Sequence, residues 1–204
     1  MPSMSFSHWL VLLSALISII GAYAYIRDTL KGTTKPNRVS WSMWALAPLI
    51  GTAAAAGAGA DAWALVRTFL AGFLPLLVFI ASFFNRHGYW KLSRFDLLCG
   101  ALSCVALVVW LAIDAPRVAI VLAASGDGFA SIPTIVKAWR FPETETGSTY
   151  FASFVSVLMV LPSLPDWSIE NSAFQVYLLV VNSVLLCAVY RQRLLKVFSS
   201  VRHP

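Results

Sequence analysis

Residues 95–140 read FDLLCGALSCVALVVWLAIDAPRVAIVLAASGDGFASIPTIVKAWR. Two predominantly apolar runs, near 95–113 and 116–138, are separated by a tight acidic turn, and the second closes on Lys137 and Arg140. Each run has about the 20 residues that a helix needs to cross a hydrocarbon layer roughly 30 Å thick. Only helices or closed barrels satisfy the backbone in such a layer. Outward from this pair the same pattern recurs near 8–26, 38–58, 61–84, 147–164 and 170–190. The sequence therefore predicts an all-α membrane protein of seven transmembrane helices.

Composition agrees with that expectation. The 204 residues are 59% hydrophobic and only 12% charged, against about 25% charged in soluble domains. The net charge of +6 would suit nucleic acid if the basic residues gathered on one face, but they are scattered through short loops, so no nucleic-acid partner is expected. Cys99, Cys104 and Cys187 all lie inside apolar runs with no metal-ligand spacing, which predicts small buried hydrophobes and neither a metal nor a cofactor. The first apolar run is preceded by no Lys or Arg, so it reads as a retained helix and not a cleaved leader, although Ala22-Tyr23-Ala24 mimics a cleavage site.

Orientation follows from the basic residues, which are retained on the cytoplasmic side during insertion. Arg27, Lys31, Lys35 and Arg38 fall in the first loop; Arg86, Lys91 and Arg94 in the third; Lys137 and Arg140 in the fifth; Arg191, Arg193, Lys196 and Arg202 in the tail. Thirteen of the 15 basic residues thus share one side, with Arg117 on the other and Arg67 inside a helix. This predicts an inner-membrane protein with its N-terminus outside and its C-terminus in the cytoplasm. Tryptophan, which favours the headgroup level, fits: Trp9, Trp63, Trp110 and Trp167 mark outer ends, and Trp41, Trp90 and Trp139 inner ends.

Helices one to three and five to seven share a rhythm of a basic inner loop, a returning helix and a tight acidic outer turn, with Asp61 and Glu170 separated by 109 residues. At that offset Ser18 matches Asp127 and Ala24-Tyr25 matches Pro133-Thr134. The expected plan is 3+1+3: a first triple-helix bundle over 1–84, a linker with helix four over 85–114, and a second bundle with the tail over 115–204. The Gly/Ala-rich stretch 51–60 should let a neighbouring helix approach helix two closely.

The segment IPTIVKAWRFPETET (132–146) resembles the PQ-loop signature, and YIRDTLKGTTKPNRVSWSMW (25–44) resembles the same loop more loosely, with Pro-Gln replaced by Pro133-Thr134 and Ala24-Tyr25. The 3+1+3 plan is similar to that of the SWEET and SemiSWEET sugar transporters. The resemblance implies a carrier that moves a small polar, sugar-like solute by alternating access. A vitamin or nucleoside carrier of the PnuC type shares the plan and stays open, as does a non-transporting receptor or scaffold.

Asp127 falls at the centre of helix five, where a carboxylate must meet a cavity, a partner or a proton. It is a candidate for solute binding or proton coupling; the alternative is a protonated acid bonded to backbone near Gly126 and Gly128. Asn182, central in helix seven, matches the position where the SWEET resemblance implies a sugar-lining Asn; otherwise it joins helices by a hydrogen bond. Phe73 is its counterpart in the first half and offers a wall for stacking, or plain packing. Arg67 could meet an anionic group, Asp61 or Asp127, or snorkel outward. Trp44 could line the cavity, contact an inner gate, or serve the belt.

Pro48, Pro75, Pro133 and Pro162 are expected inside helices, where a missing N–H permits bending; Pro133, Pro48 and Pro162 are the candidate hinges. No enzyme is expected. The run of helix seven between Asn171 and Tyr190 has no lysine for a retinal Schiff base, and Asp127 has no obvious second acid at its depth. The expected partners are a small solute and the bilayer. Seven helices can complete a pathway, so a homo-oligomer is optional.

Overall fold

The computed structural model describes residues 6–57, 59, 62–85, 87, 89–113, 116–164 and 166–201. Within them lie seven α-helices: α1 (Phe6–Leu30), α2 (Arg38–Gly57), α3 (Ala62–Ala81), α4 (Arg94–Ala112), α5 (Pro116–Arg140), α6 (Gly147–Val160) and α7 (Ile169–Val201). Two 3₁₀ turns, Pro142–Thr144 and Leu161–Ser163, flank α6, and no strand occurs among the described residues. Five helices are long and apolar enough to cross a membrane: α1, α2, α4, and the stretches Ile120–Arg140 of α5 and Ser172–Arg191 of α7. The apolar parts of the other two, Leu65–Ala81 and Gly147–Val160, are shorter.

Helix α6 stops early for a local reason. Leu161 N–H still bonds the carbonyl of Val157, but Pro162 has no N–H to continue the ladder and the chain tightens into a 3₁₀ turn. Pro162 is therefore not an in-helix hinge as expected; it terminates the helix. Pro48, Pro75 and Pro133 do lie inside α2, α3 and α5.

Between α1 and α2 the chain reverses through Gly32 at φ 77°, a left-handed conformation that costs glycine little. Asn37 then accepts from the Val39 N–H at 3.0 Å, capping α2, while its amide donates to Asp96 Oδ1 at 2.9 Å. Asp96 also closes a capping box with Ser93 at the start of α4. One asparagine thus ties the first basic loop to the third.

Helix α3 packs against α1 and α2, α7 packs against α5 and α6, and α4 lies on α5 and α2. Helix α1 also runs along α6, and α2 meets α5. The exterior is apolar, with Leu16, Ile20, Leu98, Val105 and Val180 all more than half exposed, whereas Thr29, Asn37, Ser40, Ser82, Ser131 and Thr134 are completely buried. A polar interior inside an apolar shell is the distribution that a lipid solvent favours.

The close helix contact involving α2 is not at its Gly/Ala-rich end. Gly57 and Gly59 have open space beside them, and Gly51 meets only the rim of Trp110. Small residues permit approach without compelling it. The tight contact is Gly72 of α3, where an added Cβ would stand 2.8 Å from the Ala45 carbonyl oxygen and 2.9 Å from the Leu49 nitrogen. These are backbone atoms and have no rotamer to yield. Gly72→Ala should lower the thermal unfolding temperature in detergent by the equivalent of about 1–3 kcal/mol of overpacking, while Gly57→Ala should leave it unchanged or slightly higher.

Two other expectations change. Trp41 is 5% exposed and packs in the core with Tyr25, Val78, Tyr150 and Leu185, so it is no belt residue. Its position along the helix axis suited the belt, but its face points inward. Of the cysteines only Cys99 is buried; Cys104 and Cys187 are exposed on the apolar exterior.

Candidate functional site

Polar groups concentrate at the end that carries the basic loops. Lys137, in the last turn of α5, and Glu145, in the loop before α6, form an ion pair with side chains 1% and 0% exposed. The Lys137 ammonium also donates to the Lys35 carbonyl in the first loop. Glu145 Oε2 accepts from the hydroxyls of Tyr25 at 2.8 Å and Tyr150 at 2.7 Å. Trp41 Nε1 donates to the Tyr25 oxygen at 3.3 Å, and the two rings tilt against each other at 4.5 Å. A buried charge pair is tolerated only when its remaining lone pairs and protons find partners, and these neighbours supply them.

Around this centre, two further bonds join residues of 28–40 to residues of 134–146. Thr146 donates to Asp28 Oδ2 at 3.0 Å, and Thr134 donates to the Ser40 hydroxyl at 2.7 Å. Thr134 follows Asp28 by the same interval, 106 residues, as Thr146 follows Ser40. The helix starts Arg38 and Gly147 are instead 109 apart. Further cross-bonds join Thr34 to Thr146 at 2.5 Å, the Lys35 N–H to the Thr144 carbonyl at 2.9 Å, and Thr149 to the Gly21 carbonyl.

Asp127 lies half-buried in α5 and is held from α7. The Tyr177 hydroxyl donates to Asp127 Oδ2 at 2.6 Å, and Ser131 sits one turn below, bonded to the Asp127 carbonyl at 2.8 Å. A Cβ at Gly128 would meet the Tyr177 hydroxyl oxygen at 3.6 Å, an ordinary contact, whereas one at Gly126 would press on Ala106 of α4 at 3.3 Å, and the Gly126 carbonyl accepts from Ser103 of α4 at 2.6 Å. Gly126 thus brings α4 close to α5.

The chain matches no known protein family, no curated protein and no solved structure.

The other sequence candidates do not converge on Asp127. Asn182 is buried but donates to the Leu178 carbonyl of its own helix at 2.8 Å. It lies five residues beyond Tyr177, about 7.5 Å of helical rise, so Tyr177 and not Asn182 meets the carboxylate. Phe73 stacks on Phe69, its neighbour one turn away, at 5.0 Å. Trp44 packs edge-on against Trp41 at 5.1 Å, beside the core cluster. Arg67 is half-buried, and no hydrogen bond or ion pair joins it to a described residue; Asp127 is engaged elsewhere, and Asp61 lies outside the described residues. Pro133 is fully buried in α5, one residue before the cross-bonding Thr134.

Sequence reasoning missed Lys137, Glu145, Tyr25, Tyr150 and Tyr177. Lys137 was counted among the loop cations. The available signal was an acid eight residues from a lysine that ends an apolar run, since a charge at that depth demands a partner.

Proposed function

We propose that the chain is a membrane carrier for a small polar, sugar-like solute, working by alternating access between two triple-helix bundles, 1–84 and 115–204, with α4 and its loop (85–114) as linker. The reading places the protein in the inner membrane, N-terminus outside, because the basic loops share one end. The observation that carries it is the paired crossing of Asp28–Thr146 and Thr134–Ser40. Two halves joined at one end by polar contacts make a seam that water can solvate when the halves rock apart. An apolar seam would resist such opening, because it would expose hydrocarbon to the solute path.

The packing of α3 with α1 and α2, and of α7 with α5 and α6, supports the two-bundle plan. The PQ-loop resemblance supports the same class, since the segments that carry it, 25–44 and 132–146, contain both partners of each paired bond. In this reading Asp127, with Tyr177 beside it, is the solute or proton site near mid-helix, Asn182 adds an amide toward the inner side, and Pro133 lets α5 bend above the seam.

The test is uptake by the purified chain in sealed vesicles, preceded by a thermal-shift screen against sugars, nucleosides, vitamins and amino acids. Saturable uptake of a solute that also raises the unfolding temperature is expected. Binding without flux would instead favour a receptor, and a nucleoside or vitamin as the only hit would move the substrate class.

A further inference from the structure

We propose that the basic end holds an anionic phospholipid, its phosphate headgroup in the pocket between the last turn of α5 and the start of α4, and its acyl chain along an apolar groove on α5. The pocket measures about 420 Å³ and is walled by Trp90, Phe95 and Phe141, with Lys91 and Arg140 at its rim. Both cations are exposed, and neither makes a hydrogen bond or ion pair with a described residue.

No nearby acid pairs with either of them, although the Asp96 carboxylate also lines the pocket. Asp96 is buried under bonds from Asn37 and from the Ser93 hydroxyl and N–H at 2.9, 2.7 and 2.6 Å. Glu145 is taken by Lys137, Tyr25 and Tyr150. Glu143, exposed in the 3₁₀ turn, does not line the pocket. With Lys137 paired to Glu145, Lys91 and Arg140 stand against the single carboxylate of Asp96, so the partly enclosed concavity keeps a net positive lining, which suits a phosphate.

The aromatic walls and the neighbouring groove identify the phosphate as a lipid's. The pocket ends at Pro133 and Val136 on α5. The preceding residue, Ile132, belongs to a second concavity of about 500 Å³ that runs past Phe129 and Gly128 to Tyr177 and Ala173. Its lining is almost wholly apolar and it opens to the exterior. A soluble anion would use only the rim; an amphiphile uses both. Trp139, 54% exposed in the same turn of α5, places this end at headgroup level for a chain that spans a bilayer. The inference rests on the membrane reading alone and holds whether or not the chain transports.

The test is native mass spectrometry of the full chain in detergent with equal dioleoylphosphatidylglycerol and dioleoylphosphatidylcholine, with thermal shift as a second readout. A preference for the anionic lipid on the order of tenfold is expected, falling about fivefold in Lys91→Ala or Arg140→Ala and vanishing in the double variant. Lys31→Ala, which removes an exposed cation from the same end outside the pocket, should leave it intact. The proposal is overturned if the double variant keeps the preference, or if Lys31→Ala reduces it equally, which would mean diffuse surface charge. It is also overturned if glycerol 3-phosphate alone displaces the lipid and reproduces the thermal shift, which would mean a soluble-anion site.

Discussion

Replacing Glu145 by Gln should destabilise the protein more than any other single change at the basic end. The Lys137 ammonium would remain in a site where its side chain is 1% exposed, with the Lys35 carbonyl as acceptor but no counter-charge. Breaking one partner of a buried pair costs about 3–5 kcal/mol, because the surviving charge is left uncompensated. In a chain of this size that corresponds to a fall in unfolding temperature on the order of 10 °C. The glutamine oxygen still accepts from Tyr25 and Tyr150, so the loss isolates charge from hydrogen bonding.

The double variant Lys137→Met/Glu145→Gln supplies the control, since removing both charges is often neutral or stabilising. It should recover more than half of the lost stability. If Glu145→Gln alone unfolds at the wild-type temperature, the pair does not clamp the two loops. Under the carrier reading the neutral double variant has a second consequence: the seam at the basic end loses its strongest contact, and access should shift toward that end. Water-soluble thiol reagents would then react faster with a cysteine introduced at Ser40 in that background than in the wild-type background.

The helices were legible because hydropathy depends on residues close in sequence. The run expected over 95–113 is α4 at Arg94–Ala112, and that over 116–138 is α5 at Pro116–Arg140. Their azimuth was harder to read. Trp41 and Trp139 stand at equivalent depths in the pattern, yet one is 5% exposed in the core and the other 54% exposed. Depth comes from position in a run, whereas facing depends on which helices become neighbours, and those lie far apart in the chain: α1 on α6, α2 on α5.

The site was legible only in part, for the same reason. Asp127 announced itself as a lone acid in apolar sequence, but its partner Tyr177 is 50 residues away and carries no charge to draw attention. Glu145 stands beside Glu143 in a short polar loop, where nothing in the local sequence marks it as buried. Only the folded chain shows that Tyr25, 120 residues earlier, donates to it.

Under the carrier reading, solute response should fall by tenfold or more in Asp127→Asn while the fold survives. The amide is nearly isosteric, and its oxygen can still accept from the Tyr177 hydroxyl that now bonds Oδ2 at 2.6 Å, so α5 and α7 stay joined. What disappears is the charge, and hydrogen bonds to charged groups are worth about 1.5–3 kcal/mol, which is roughly 10- to 100-fold in affinity. Tyr177→Phe makes the complementary change: the carboxylate keeps its charge but loses its short hydroxyl donor. It should cost about 1–3 kcal/mol of stability and leave Asp127 available to solute. Asn182→Ala, which removes an amide already donating to Leu178, should weaken the response less than Asp127→Asn does. The ordering is the check, read from thermal shift and vesicle uptake with the solute found by screening. If Asp127→Asn keeps full uptake while Tyr177→Phe loses stability, the acid serves only to pin α5 to α7, and the solute site must be sought elsewhere.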